Sequence, residues 1–188
     1  MSLYEEISNF VPYDENEEAS KQSFLQFIDG FKDKNNLYLR DNLIGHISSS
    51  AFVINKARTK VLMAYHNIYQ SFGWLGGHAD GDENLLYVAL KETGEESGVK
   101  NHRPLSKNFS DIAVLHVVPH VKRGKFVPAH LHFNVTYFIE ADEDEALQIA
   151  EGENSALKWL EFKNVAKNVK EEHMVPIYER LIQKIKNI

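Results

Sequence analysis

GGHADGDENLLYVALKETGEESGV, residues 76–99, joins a glycine-rich loop to a helical pattern. The spacing of apolar residues predicts a helix over 83–97, with Gly98 placed to end it. On a projection of about 100° per residue, Leu86, Ala89, Leu90, Thr93 and Ser97 share one face. Glu92, Glu95 and Glu96 fall on the neighbouring face at i, i+3 and i+4. Like charges at that spacing weaken a helix by about 0.2–0.5 kcal/mol per pair. They also sit near the helix C-terminus, where the macrodipole disfavours negative charge. A bound hard cation reverses both penalties, because Mg²⁺ seeks oxygen ligands. The competing reading is a solvated acidic face, which is the commoner fate of such clusters. Gly76 and Gly77 let the backbone pass close to a metal or phosphate, where a side chain would intrude. Glu83 stands near the helix start, a favourable place for a carboxylate.

Outward from this segment, the chain alternates strands and helices without a regular βαβ repeat. Before it, Phe24, Phe27, Ile28 and Phe31 recur at helical spacing, with Asp14 or Asn16 as the cap. Strand patterns cover 47–55 and 60–66. After it come strands over 111–119 and 130–141, with Lys122, Arg123, Gly124 and Lys125 as a hairpin tip. A short helix over 143–150 and a strand over 157–162 follow. The closing helix carries Met174, Ile177, Tyr178, Leu181 and Ile185 on one side, and Pro176 falls in its first turn. These patterns predict an α/β sandwich built on a mixed sheet.

Histidines supply a second constellation. His130, His132 and Asn134 alternate along one strand, so they share a sheet face. His116 and His120 lie on the preceding strand or just past it. If the two strands pair through the 122–125 turn, a His-lined patch forms that can contact substrate or hold a second metal. Hydrogen-bonded structural histidine is the competing reading. His78 and Asp80 read as exposed loop polarity, and Phe72 and Trp74 as core rather than stacking residues. Arg123 and its lysine neighbours either grip phosphate or form a solvated tip.

Composition narrows the function classes. With 43% hydrophobic and 26% charged residues, the 188-residue chain suits one folded domain. There is no cysteine, which removes thiolate metal sites and a cysteine nucleophile. A net charge of −6 lacks the basic footprint that nucleic-acid binding requires. No apolar run is long enough to cross a bilayer. The expectation is a cytoplasmic protein without nucleic-acid or membrane partners.

The segment at 77–99 resembles the Nudix box, G-x₅-E-x₇-R-E-U-x-E-E-x-G-U, where U is bulky and apolar. Gly77, Glu83, Glu92, Glu95, Glu96, Gly98 and Val99 match at the required spacings. Lys91 stands where the family has arginine, and Thr93 where it has a bulky apolar residue. The resemblance implies a Nudix-like α/β/α sandwich with a mixed β-sheet, residues 1–42 being a helical extension and 43–188 the core. It implies an Mg²⁺-dependent hydrolase, with Mn²⁺ as the alternative ion, that cleaves the diphosphate of a nucleoside diphosphate linked to another moiety. Glu92, Glu95 and Glu96, with the Gly76–Gly77 backbone, would hold the metal. Glu92, Glu83 and Lys91 would form the catalytic set. Lysine supplies the arginine's charge without its bidentate fork. In the family, substrate sits on the sheet face beside the box helix, which nominates His130, His132, Asn134, His116 and Arg123 as its contacts. The partner is then a small nucleotide-like molecule, and the N-terminal residues cap the site or build a homodimer. Two rivals remain. An isopentenyl-diphosphate isomerase of this fold would use a cysteine that the chain lacks. A catalytically inactive, nucleotide-binding regulatory module is the alternative that Lys91 keeps open.

Overall fold

A computed structural model describes residues 1–31, 33–122, 124–149 and 154–188. In chain order the elements are α1 (Leu3–Asn9), α2 (Glu15–Asp29), β1 (Gly45–Asn55), β2 (Lys60–His66), β3 (Ser71–Gly73) and β4 (Leu75–His78). Then come α3 (Leu85–Ser97), β5 (His102–Pro104), β6 (Asp111–Val117), β7 (His120–Lys122), β8 (Lys125–Val127) and β9 (His130–Ala141). The chain closes with β10 (Asn154–Glu161), α4 (Val165–Asn168) and α5 (Val175–Lys186).

The main sheet runs β10-β2-β1-β9-β5, with β3 on β2, β4 on β1 and β6 on β9. Among the described residues only the central pair β1–β9 is parallel, in register from Gly45↔Leu131 to Asn55↔Ala141. The sheet is therefore mixed, as the strand and helix pattern predicts. Parallel strands are covered on both faces, and every residue of β1 is buried.

Side-chain alternation along β1 and β9 divides the core. Ile47, Ala51 and Val53, with Phe133, Val135, Tyr137 and Ile139, pack under α2 and α3. Phe52, Ile54 and Phe138 face the other way, against Tyr178, Leu181 and Ile185 of α5. That second face is apolar only at one end. Toward the strand starts the same positions are His46, Ser48 and Ser50 on β1, and His132, Asn134 and Thr136 on β9. One sheet face thus changes from greasy to polar halfway along, and the polar half adjoins β4.

The N-terminal helices join this core. Asp14 caps α2 by accepting from Glu17 N at 2.8 Å, and Phe27 stacks on Phe133 with ring centroids 3.8 Å apart. A buried ionic network binds α2, β6 and α5. Arg180, 4% exposed, holds Asp111 in a fork of 2.7 and 2.9 Å. Lys184 donates to Glu17 at 2.5 Å and to Asp111 at 3.0 Å. Burial, then the neighbouring Asp111 charge, raises the Glu17 carboxyl above its ordinary range. The folded state holds that proton more tightly than the unfolded chain does. Its contribution to stability is therefore full below about pH 4.3 and declines as pH rises toward the folded value. A Glu17→Gln variant is expected to gain stability relative to the wild type as pH rises from about 4 to 7. Urea denaturation at several pH values measures this, and a difference that does not change with pH would refute it.

One expected helix does not form. Among the described residues of 142–149 there is a turn followed by irregular chain. Glu143 is drawn to Asn55 and Lys60. Glu145 accepts from the backbone of Lys100 and Asn101. These carboxylates cap two neighbouring loops, and the backbone follows them away from helical geometry.

Candidate active site

Helix α3 begins at Leu85, where Asn84 Oδ1 accepts from Tyr87 N at 3.1 Å. It ends at Gly98, whose φ of 73° is left-handed. The helix packs on β1 and β4. Thr93 is fully buried and satisfies its hydroxyl by donating to Ala89 O at 2.8 Å. A bulky apolar position thus carries a hydroxyl bonded back to its own helix. Phe72 and Trp74 are core, the latter edge-on to Tyr178.

The acidic face of α3 closes over the Gly76–Gly77 backbone. Gly76 has φ +150°, and a Cβ there would lie 2.6 Å from Ser49 O and Ser50 Cα. A Cβ on Gly77 would lie 2.5–2.6 Å from the Glu92 carboxylate. Glu96, only 8% exposed, accepts from Gly76 N at 2.8 Å and from Asn154 Nδ2 at 3.0 Å. Asn154 Oδ1 is buried with no hydrogen-bond partner among the described residues. Glu95 is the exposed member, with 59% of its side chain accessible. Lys91 Nζ bridges Glu92 at 3.8 Å and Glu95 at 3.6 Å. Glu92 and Glu96 lie beside a carbonyl-bearing glycine pair, with Glu95 joined to Glu92 through Lys91, and such all-oxygen donors suit a hard divalent cation. Glu83 is exposed and precedes the helix. From the helix start at Leu85 to Glu92 the rise is about 10 Å.

On the polar half of the sheet, Ser48 and Ser50 donate to Asn134 Oδ1 at 3.0 and 2.8 Å, and Asn134 Nδ2 donates to Thr136 at 3.0 Å. This closed network occupies Asn134 internally. At the strand starts His132 Nε2 lies 3.1 Å from His78 Nε2 and 3.2 Å from His130 Nε2. The His46 ring sits 4.9–5.0 Å from the rings of all three. Burial, then the neighbouring rings, pushes His132 down to about 2.

The histidine patch differs from expectation in membership. Strands β6 and β9 do pair, but the register sets His116 opposite Leu131, one residue out of phase with His130 and His132. The His116 ring lies instead 4.7 Å from that of His173. His120 is on the separate β7–β8 ribbon, and Arg123 lies outside the described residues. His78, expected as loop polarity, ends β4 inside the cluster, while Asp80 pairs with Arg40. Sequence reasoning missed His46 and Asn154. The signal for His46 was the alternation of polar residues at 46, 48 and 50, which puts one polar row on a single face of the strand.

Comparison with known proteins agrees with this architecture. The family model described as NUDIX domain matches residues 45–181. A structure of a C. elegans Ap4A hydrolase binary complex is 15% identical, covers 76% of this chain and 98% of its own, and gives a TM-score of 0.57. The E. coli dihydroneopterin triphosphate pyrophosphohydrolase is 14% identical, with 73% and 94% covered and a TM-score of 0.53. A NUDIX-family hydrolase from Clostridium perfringens is 18% identical, with 76% and 97% covered and a TM-score of 0.52. No curated protein matches the sequence.

Proposed function

The chain belongs to the Nudix family, hydrolases of phosphorus-containing anhydrides, and from that premise we propose that it is an Mg²⁺-dependent diphosphatase of nucleoside diphosphate derivatives. The observation that carries this reading is the contact of Glu92 and Glu96 with the Gly76–Gly77 backbone, with Glu95 joined to Glu92 through Lys91. Glu95, Glu96 and a glycine carbonyl would hold the ion, with Glu92 as further ligand or base. When bound, Mg²⁺ neutralises charge on the diphosphate and lowers the pKa of water. Glu92 is favoured over Glu83 as the group that takes the proton from attacking water, because its carboxylate already meets Gly77. Lys91 holds Glu92 and Glu95 near each other, a positioning role that charge alone can fill. Asn134 supports the neighbouring strands rather than reaching substrate, since both ends of its amide are engaged.

The experiment is Mg²⁺-dependent hydrolysis across a panel of nucleoside diphosphate sugars, ADP-ribose, dinucleoside polyphosphates and oxidised nucleotides. Turnover of one class supports the proposal. Binding of these compounds without turnover of any would convert the reading to a regulatory module. The glycine pair gives a further check. Gly76→Ala meets backbone at 2.6 Å in a left-handed conformation, so it is expected to cost more than about 2 kcal/mol of stability. At Gly77→Ala the nearest atoms are the far end of the Glu92 side chain rather than backbone, so it should fold with a loss below about 1 kcal/mol yet reduce kcat at least about tenfold. Thermal unfolding and steady-state kinetics separate the two effects. Equal behaviour of both variants would contradict the assigned geometry.

A further inference from the structure

The four histidines at the starts of β1 and β9 and the end of β4 are not part of the acidic site. Their candidate ligand nitrogens all lie within 4.8 Å of one another. We propose that His46, His78, His130 and His132 form a second, nitrogen-only site for a divalent transition ion of the zinc class, distinct from the carboxylate site.

Three observations converge on it. First, the spacing fits. Tetrahedral zinc with Zn–N bonds of about 2.0–2.1 Å sets its ligand nitrogens about 3.3–3.4 Å apart. The His132–His78 and His132–His130 nitrogen pairs are at 3.1 and 3.2 Å, and the ligand nitrogen of His46 lies within 4.8 Å of the other three. Second, the tautomers are oriented for metal. His46 Nδ1 lies 3.3 Å from Asn42 O and His130 Nδ1 lies 2.9 Å from Pro128 O. A carbonyl can only accept, so each Nδ1 carries the hydrogen, and in the neutral ring Nε2 then presents a lone pair. Backbone carbonyls commonly fix metal-binding imidazoles in this way. Third, protons alone leave the cluster incompletely bonded. His46 is 3% exposed, and its Nε2 is buried with no hydrogen-bond partner among the described residues. A single hydrogen on His132 Nε2 cannot serve both short nitrogen contacts, whereas one cation serves all four rings. The nearby Arg40 guanidinium is held by Asp80, with Nε donating at 2.5 Å, so the pair brings little net charge to the site.

Four imidazoles and no carboxylate distinguish this donor set from the magnesium-type site. Four protein ligands also close a tetrahedral ion's coordination, which marks a structural rather than a catalytic centre. Its effect follows from connectivity. The ion clasps β1, β9 and β4, and His78 directly follows Gly76–Gly77 on β4. Occupancy therefore stiffens the strand that presents the acidic site.

The test uses the full chain, stripped with chelator and titrated with Zn²⁺ in excess Mg²⁺. One equivalent of zinc per chain is expected, with a rise in Tm. Co²⁺ in place of zinc should give the intense visible absorption of tetrahedral coordination. His46→Asn and His130→Gln should each weaken zinc binding at least about tenfold, while Glu95→Gln,Glu96→Gln should leave it intact. Folded wild-type protein that takes up no zinc, a weak octahedral cobalt spectrum, or zinc lost with the glutamates and kept without the histidines would each overturn the proposal. If a histidine variant fails to fold, the wild-type cobalt spectrum decides.

Discussion

Glu95→Gln,Glu96→Gln is expected to lower Mg²⁺-dependent turnover by at least about a thousandfold, or about 4 kcal/mol of barrier, since metal stabilisation of developing charge is worth several kcal/mol. The two positions differ in what else they hold. Glu95 is exposed, and its ion pair among the described residues is with Lys91 at 3.6 Å. Its single variant should therefore leave stability almost unchanged, and removing one of three like charges offsets what little is lost. Glu96 is buried and accepts from both Gly76 N and Asn154 Nδ2. A glutamine there turns one amide hydrogen toward a donor, at a cost of about 1–3 kcal/mol unless the Asn154 amide flips to answer it. Asn154 Oδ1, now without a partner, is placed to do so if the amide turns. Steady-state kinetics with thermal unfolding on both single variants reads this split. Turnover surviving in the double variant would remove the acidic site from the mechanism.

Arg180→Met is expected to destabilise the fold by about 3–5 kcal/mol. Asp111 and Glu17 are fully buried, and the network sets three carboxylates, those two and Asp14, against Arg180 and Lys184. Removing the arginine leaves Lys184 alone to balance them. The loss comes from stranding buried charge rather than from the attraction itself, so a second change should recover part of it. Asp111→Asn added to Arg180→Met is expected to be less damaging than the sum of the two single losses. Urea denaturation of all three variants closes the cycle. Additive losses, or an Arg180→Met loss below about 1 kcal/mol, would show that the network is screened in solution.

The network also shows what limits a reading from sequence. Asp14, Glu17, Asp111, Arg180 and Lys184 look like ordinary surface charges in the chain. Their partners are 69 to 167 residues away, and no local spacing reveals such pairs. The short helix expected over 143–150 failed for a related reason. Glu143 and Glu145 have better partners in Lys60, Asn55 and the 100–101 backbone than a helix could offer. The histidines followed the same pattern in part. Alternation alone put His130 and His132 on one face, but the choice of their neighbours depended on the parallel register of β1 with β9 and on the phase of β6.

Features governed by rules that operate within a turn or two of chain were legible in the residues alone. Helical spacing placed Glu92, Glu95 and Glu96 on one face of α3, Gly98 at its end and Thr93 in its core. Period-two alternation gave β2 and β9 their limits, and the mixture of the two periods gave an α/β sandwich. Tertiary structure alone decided that β1 lies parallel to β9, that Glu96 caps the Gly76 backbone beside Asn154, and that His46 and His78 join His130 and His132. Those contacts are set by strand register and layer packing, which depend on all segments burying apolar surface at once. A register shift of one residue turns every side chain of a strand to the other face, so the second cluster came into being only when the sheet closed.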